Sequence, residues 1–225
     1  LENGSIDSFE LLMRWKSNIL GDVSPGEFIP AAESNDLIIP IGYMAIEMAC
    51  DFIKLFNGRF KISVNISTIQ LKDLSFTAKM LDILNTKGVS PSNFILEITE
   101  SSVLSTDQST KGILEKWDNL GMTLAMDDFG TGYSSLGNML TFSFKKIKVD
   151  KSLIDHLDEK MPQNLIKSIV NFAKSINISV VAEGVEDNKT LELVKSAGFC
   201  YLQGYFESKP LVIDDLIEYV KRKDK

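Results

Sequence analysis

Histidine is almost missing from this chain of 225 residues: His156 is the only one, in the polar stretch Asp155-His156-Leu157-Asp158. That scarcity excludes histidine-ligated zinc sites and histidine-based relays, which need several such residues, and His156 reads as a solvated surface side chain. Cysteine is nearly as rare. Cys50 and Cys200 are the only two and lie far apart, which argues against a disulfide framework and for a reduced, cytoplasmic protein. Long apolar runs are missing as well. None approaches the roughly 18 residues needed to span a bilayer, the longest, Leu37 to Ile46, holds Pro40 and Gly42, and no signal peptide is evident. Positive charge is in deficit, with 24 Lys plus Arg against 31 Asp plus Glu and a net charge of −7. Such a balance disfavours a DNA binder, which needs a basic face to replace phosphate counterions. Repeats and low-complexity linkers are absent too, so residues 1–225 read as a single domain.

What is present is ordinary globular material, 44% hydrophobic and 24% charged, arranged as short apolar runs alternating with longer stretches of helical period. Strands are expected at Phe9–Trp15, Phe60–Ser67, Phe94–Thr99, Met122–Phe129, Lys146–Asp150, Ile178–Glu183 and Phe199–Tyr205. Helices are expected at Leu37–Phe56, Leu74–Lys87, Lys111–Asn119, Asn164–Ile176, Lys189–Ser196 and Ile213–Lys221. Several of these stop before a glycine, at Gly88, Gly121 and Gly198, as left-handed helix ends require. Repeated strand–helix units predict an α/β fold with a parallel sheet, and the length suits a modified TIM-type (β/α)8 barrel. Only seven strands are visible, and the chain does not begin with Met. It therefore reads as a fragment whose first strand is missing. Asn3-Gly4 is a strong hairpin signal, so that missing strand is expected to run antiparallel to Phe9–Trp15.

Polar residues fall at the strand ends: Asn65, Glu97, Asp127 with Asp128, Lys148, Glu183 and Gln203. In a parallel barrel these ends share one face, where such folds place their chemistry. Glu10 is the exception, lying near the start of its expected strand. Singly, each has a plainer reading as a helix cap, turn residue or surface charge. Together they form an acid cluster whose members repel one another unless a cation compensates. All-oxygen ligands select Mg²⁺ or Mn²⁺. In Asp127-Asp128-Phe129-Gly130-Thr131-Gly132, adjacent strand residues should face opposite sides. Both acids can share a site only where the strand breaks, and Gly130 and Gly132 are expected to supply that break.

These residues resemble the EAL domains, bacterial phosphodiesterases that hydrolyse cyclic di-GMP to linear pGpG. The resemblance spans essentially the whole chain. It rests on Glu10-Leu11-Leu12-Met13-Arg14-Trp15, Pro25 to Pro30 (PGEFIP), Val64-Asn65-Ile66-Ser67 and Leu96-Glu97-Ile98-Thr99-Glu100. It continues through Asp127 to Ser135 (DDFGTGYSS), Ile147-Lys148-Val149-Asp150, Ala182-Glu183-Gly184-Val185-Glu186 and Gln203-Gly204-Tyr205.

The resemblance implies a metal-dependent phosphodiester hydrolase with two ions per site, Mg²⁺ or Mn²⁺, and Ca²⁺ as an inhibitor. It implies Glu10, Asn65, Glu97, Asp127 and Asp128 as metal ligands. Glu183 would help deprotonate the attacking water and Lys148 would orient it. Glu100 would anchor the Asp-Asp-Phe-Gly loop, with Glu186 supporting the catalytic group. Arg14, Gln203 and Asp150 would contact the nucleotide. The same resemblance implies a homodimer, and sensory or diguanylate-cyclase-like domains in a longer signalling protein, of which this chain would be the cytoplasmic part even if the whole were membrane-attached. Four features depart from the family pattern: Leu11 stands in the name-giving motif, Ser143 and Lys145 replace a usual Pro and Asp, Glu207 stands where an aromatic or apolar residue is common, and the opening strand with its Tyr-Gln-Pro-like segment is absent. A receptor that binds cyclic di-GMP without cleaving it is the alternative, and the complete set of acids favours catalysis over it. Phe142 and Phe144, after the Gly137–Leu140 segment, read as core residues of the next strand, with a dimer patch as the second reading.

Overall fold

The computed structural model describes residues 1, 4–104, 108–131 and 142–224. Seven parallel strands make one curled sheet among the described residues. In spatial order they are β1 (Ser8–Glu10), β4 (Lys61–Asn65), β5 (Phe94–Thr99), β6 (Thr123–Phe129), β7 (Lys146–Val149), β8 (Ser179–Ala182) and β9 (Tyr201–Leu202). Spatial order follows chain order, so the sheet curls as a half-barrel and every strand ends on the same face. The remaining pair, β2 (Trp15–Ser17) and β3 (Gly21–Val23), forms a small antiparallel hairpin.

Strand composition follows from double burial. The run Phe94-Ile95-Leu96-Glu97-Ile98 is buried throughout, because helices cover the outside of the sheet and its concave face is turned inward. The helices Ile38–Leu55, Leu74–Lys87, Gln108–Asn119, Lys160–Ser175 and Asn188–Ala197 pack one stripe each on the strands, through fully buried residues such as Ile46, Phe76, Trp117, Val170 and Val194. Gly88 and Gly198 end their helices in the left-handed conformation, as the sequence suggests. Pro40 falls in the first turn of Ile38–Leu55, where its missing N–H has no helical partner to lose.

Three expectations change. The expected strand Phe9–Trp15 divides: β1 stops at Glu10, after pairing Ser8, Phe9 and Glu10 in parallel with Lys61, Ile62 and Ser63, and Trp15 opens the hairpin. The antiparallel pair near the start is therefore β2–β3, turned through residues 18–20, where the Ser17 hydroxyl accepts from the Ile19 and Leu20 amides. Of the Asn3-Gly4 signal, Asn3 lies outside the described residues. The helix Pro25–Ser34 adds an element to those expected from the sequence. Pro25 sits at its start, after the Ser24 cap, and buried Phe28 and Ala32 hold it down. Phe28 also receives Trp15 edge-on, centroids 6.0 Å apart, which ties the hairpin to that helix.

No hydrogen-bonded ladder joins β1 to β9. Between them lies a cavity of about 1300 Å³ that reaches from the strand ends at Glu10, Glu97 and Gln203 to Met44, Met48 and Ile213 on the flanking helices. The amino group of Leu1 donates to the Cys200 carbonyl at 3.0 Å beside this seam. Phe144 is buried and Phe142 packs partly against the core, in keeping with the core reading, while Gly137–Leu140 lies outside the described residues. No helix among the described residues is long and apolar enough to cross a membrane.

Candidate active site

Eight polar side chains meet where the strands end. Glu10 is the last residue of β1, not one near its start, so the apparent exception in the sequence disappears once the strand is three residues long. Asn65 ends β4 opposite Glu97 of β5. Asp127 and Asp128 lie in β6, Lys148 in β7, and Glu183 and Gln203 follow β8 and β9 by one residue.

The centre is Lys148, almost fully buried. Its ammonium lies 2.8 Å from Glu97 Oε2, 2.9 Å from Glu183 Oε1, 3.1 Å from Asp127 Oδ1 and 3.4 Å from Glu10 Oε2. Glu10 is held on both oxygens, by Asn65 Nδ2 at 2.8 Å and Gln203 Nε2 at 2.6 Å. Burial opposes its charge, but Lys148 and these two amides together hold the Glu10 carboxyl below the usual range. Glu97 goes the other way: burial, reinforced by the neighbouring charges of Glu10 and Asp127, pushes it up to about 8 against the pull of Lys148. Glu183 is pushed up to about 7, mainly by burial and then by Asp127. Asp128 is raised by burial and by Asp127 and Asp150. Lys148 is held charged: its burial favours the neutral form, but four facing carboxylates outweigh it.

The expected break in the β6 strand lies earlier than the glycines. Asp128 itself adopts φ +54°, and the β6–β7 register shifts between Met126 and Phe129. A left-handed residue inside a bulge re-aims its side chain, and Asp128 thus turns toward the same side as Asp127. Oxygens of Asp127, Asp128 and Glu183 lie within 4.8 Å of one another. Asp127 Oδ1 is buried and makes no hydrogen bond, its Lys148 contact being ionic and off the hydrogen-bond line. An exclusively oxygen donor set, including a buried oxygen outside any hydrogen bond, fits a hard divalent cation.

Behind the cluster, the Gly130 N–H donates to Glu100 Oε2 at 3.1 Å, tying the segment after β6 to the end of β5. Gly130 has φ +102°, and a Cβ there would lie 2.1 Å from Leu153 Cδ1. Gly184 lies against the Lys151 side chain in the same manner. Leu153 and Lys151 escape a sequence reading because these contacts join the ends of different strands.

Three expected site residues stand apart from the cluster. Glu186 is exposed and pairs with Lys151. Asp150 is near enough to raise Asp128, but one of its oxygens caps the helix Lys151–Ile154 by accepting from the Ser152 amide at 2.9 Å. Arg14 lines the mouth of the seam cavity, its guanidinium donating to the Met13 carbonyl. Gly132 to Ser135 of the loop motif lie outside the described residues.

Fold and site together define an α/β half-barrel with an acidic, oxygen-donor centre at the strand ends. Sequence and structural comparisons give the family. The EAL domain family profile matches residues 1–210, and the chain belongs to that family of cyclic di-GMP phosphodiesterases. It is 35% identical to a signalling protein of Caulobacter vibrioides over 99% of this chain and 28% of that protein. It is 31% identical to MucR, a bifunctional diguanylate cyclase/cyclic di-GMP phosphodiesterase of Pseudomonas aeruginosa, over 97% of this chain and 33% of that one. The chain thus spans a third or less of these relatives' lengths. The solved structure of the PaMucR phosphodiesterase in complex with c-di-GMP superposes with a TM-score of 0.89 at 32% identity, covering 95% of this chain and 89% of the other. A Klebsiella pneumoniae protein, BlrP1, complexed with manganese and cyclic di-GMP, superposes at 0.81 with 28% identity, over 93% and 53% of the two chains.

Proposed function

We propose that this chain hydrolyses cyclic di-GMP to linear 5′-pGpG with the help of two divalent cations. The observation that carries the reading is the convergence of Glu10, Glu97, Asp127 and Glu183, from four separate strand ends, on Lys148, with Asp128 turned in by its bulge. Glu10, Asn65, Glu97, Asp127 and Asp128 would hold the ions. When bound, such ions act as Lewis acids, lowering the pKa of water and screening phosphate charge.

The chain's own groups account for the rest. Glu183, with a pKa of about 7, suits a general base that takes the proton of the attacking water near neutral pH. Water oxygen bonds to phosphorus, the ribose 3′ oxygen leaves and is protonated, and the 5′ phosphate remains on the product. Lys148 keeps a positive charge beside the developing negative charge on the phosphoryl oxygens. Glu100 holds the segment after β6 through Gly130, and Arg14, Gln203 and Asp150 would face the nucleotide.

The test is hydrolysis of cyclic di-GMP with Mg²⁺, Mn²⁺, Ca²⁺ or chelator, with pGpG resolved chromatographically and Asp127→Asn and Glu183→Gln run in parallel. Metal-dependent product that both variants lose supports the reading. Tight binding without turnover in Mg²⁺ and Mn²⁺ would make the domain a receptor instead.

A further inference from the structure

The cluster of acids already contains a cation. Lys148 brings three donor hydrogens to four carboxylates that come from four separate strand ends, and almost none of this ammonium meets solvent. The four contacts are unequal: Glu97 and Glu183 are close, Glu10 is stretched, and Asp127 Oδ1 keeps its lone pairs out of any hydrogen bond. Buried like charges separate unless a counter-ion holds them. In this chain the ammonium contacts each of the four acids, while Asn65 and Gln203 fix Glu10 from its two sides. An entering divalent ion would need oxygens that Lys148 now contacts, and would meet a fixed positive charge a few ångströms away.

We propose that Lys148 is the built-in counter-ion of this site: it keeps the ligand set assembled in the ion-free protein and competes with divalent cations for the same oxygens, thereby setting their affinity. The inference rests on reading the cluster as a divalent-cation site. It assigns Lys148 a task separate from any part in the reaction, since an ammonium that only oriented water would not need to touch Glu10, Glu97 and Asp127 as well as Glu183.

The experiment compares the parent chain with Lys148→Met and Lys148→Arg in two measurements that need no turnover. The first is the melting temperature in chelator. The second is Mn²⁺ affinity at pH 8, read from the electron paramagnetic resonance signal of free Mn²⁺. Lys148→Met is expected to melt lower in chelator, to bind Mn²⁺ roughly tenfold or more tightly, and to regain its melting temperature when Mn²⁺ is added. Lys148→Arg should stay near the parent in both. Unchanged or weaker Mn²⁺ binding in Lys148→Met overturns the competition, and an unchanged melting temperature in chelator overturns the assembly role. If Lys148→Met does not fold, the Glu97→Gln/Lys148→Met pair decides, because restored folding supports a charge-balancing role and continued failure removes it. A parent chain that binds no Mn²⁺ would instead remove the metal reading, and the chelator melts would still judge Lys148 as a counter-ion.

Discussion

Gln203 Nε2 donates to Glu10 Oε2 at 2.6 Å, joining the first and last strands of a sheet whose two edges share no backbone ladder. Both residues line the seam cavity, and the bond links the two strands farthest apart in sheet order. A ligand of the cluster is thereby held by the far edge of the fold.

Removing that bond should loosen both. Gln203→Ala is expected to cost about 1.5–3 kcal/mol, as for a hydrogen bond to a charged group, while Gln203→Glu should cost more by placing a like charge against Glu10. Urea denaturation in chelator measures both. Equal stability of the two variants would mean the bridge carries no charge-dependent load.

The bulge at Asp128 has a separable backbone cost. Asp128→Ala and Asp128→Gly both delete the carboxylate, yet only glycine adopts φ +54° freely. The glycine variant should be about 1–2 kcal/mol more stable than the alanine variant, and both should bind Mn²⁺ more weakly than the parent. Matching denaturation midpoints would show that the segment relaxes out of the left-handed conformation once the acid is gone.

Acidity gives a third expectation with a definite sign. Glu97 at about 8 and Glu183 at about 7 both lie above their ordinary value of 4.5, so between those limits the folded ion-free protein binds more protons than the unfolded chain. Stability is therefore full below about pH 4.5 for these two groups, and falls as pH rises through 7 and 8, by on the order of a few kcal/mol. Glu10, lowered in the fold, acts oppositely and only in acid. Thermal melts from pH 5 to 8.5 in chelator should show the decline, and saturating Mg²⁺ should flatten it. A rising profile in chelator contradicts the assignment.

Gly130 tests the support behind the cluster. Its φ of +102° and the 2.1 Å approach of a Cβ to Leu153 Cδ1 leave no room for alanine. Gly130→Ala should therefore lose at least about 2 kcal/mol of stability, and the paired Gly130→Ala/Leu153→Ala variant should recover only the steric part. Near-normal stability of the single variant would show that Leu153 swings aside.

Much of this arrangement was legible in the chain itself. The strands at Phe94–Thr99 and Lys146–Val149 could be read from their apolar pattern, and the helix Leu74–Lys87 from its apolar period and the Gly88 that stops it. The acids and amides could be placed on one face because parallel strands all end the same way. Short elements were less legible. Thr68–Lys72 and Lys151–Ile154 span about one turn each, too little for a helical period to emerge, and Pro25–Ser34 is hidden by its prolines. The division of Phe9–Trp15 depends on pairing with Lys61–Ser63, which no local pattern records.

Sequence alone determined which groups this protein would carry to its active face, since residue type and strand order are properties of the chain. Only the tertiary structure decided how they act there. The left-handed turn at Asp128, the grip of Asn65 and Gln203 on Glu10, and the place of Lys148 among four carboxylates all depend on distances between strands far apart in sequence. Electrostatic energies in a buried cluster depend on those distances and on the exclusion of water, and neither exists until the sheet has curled.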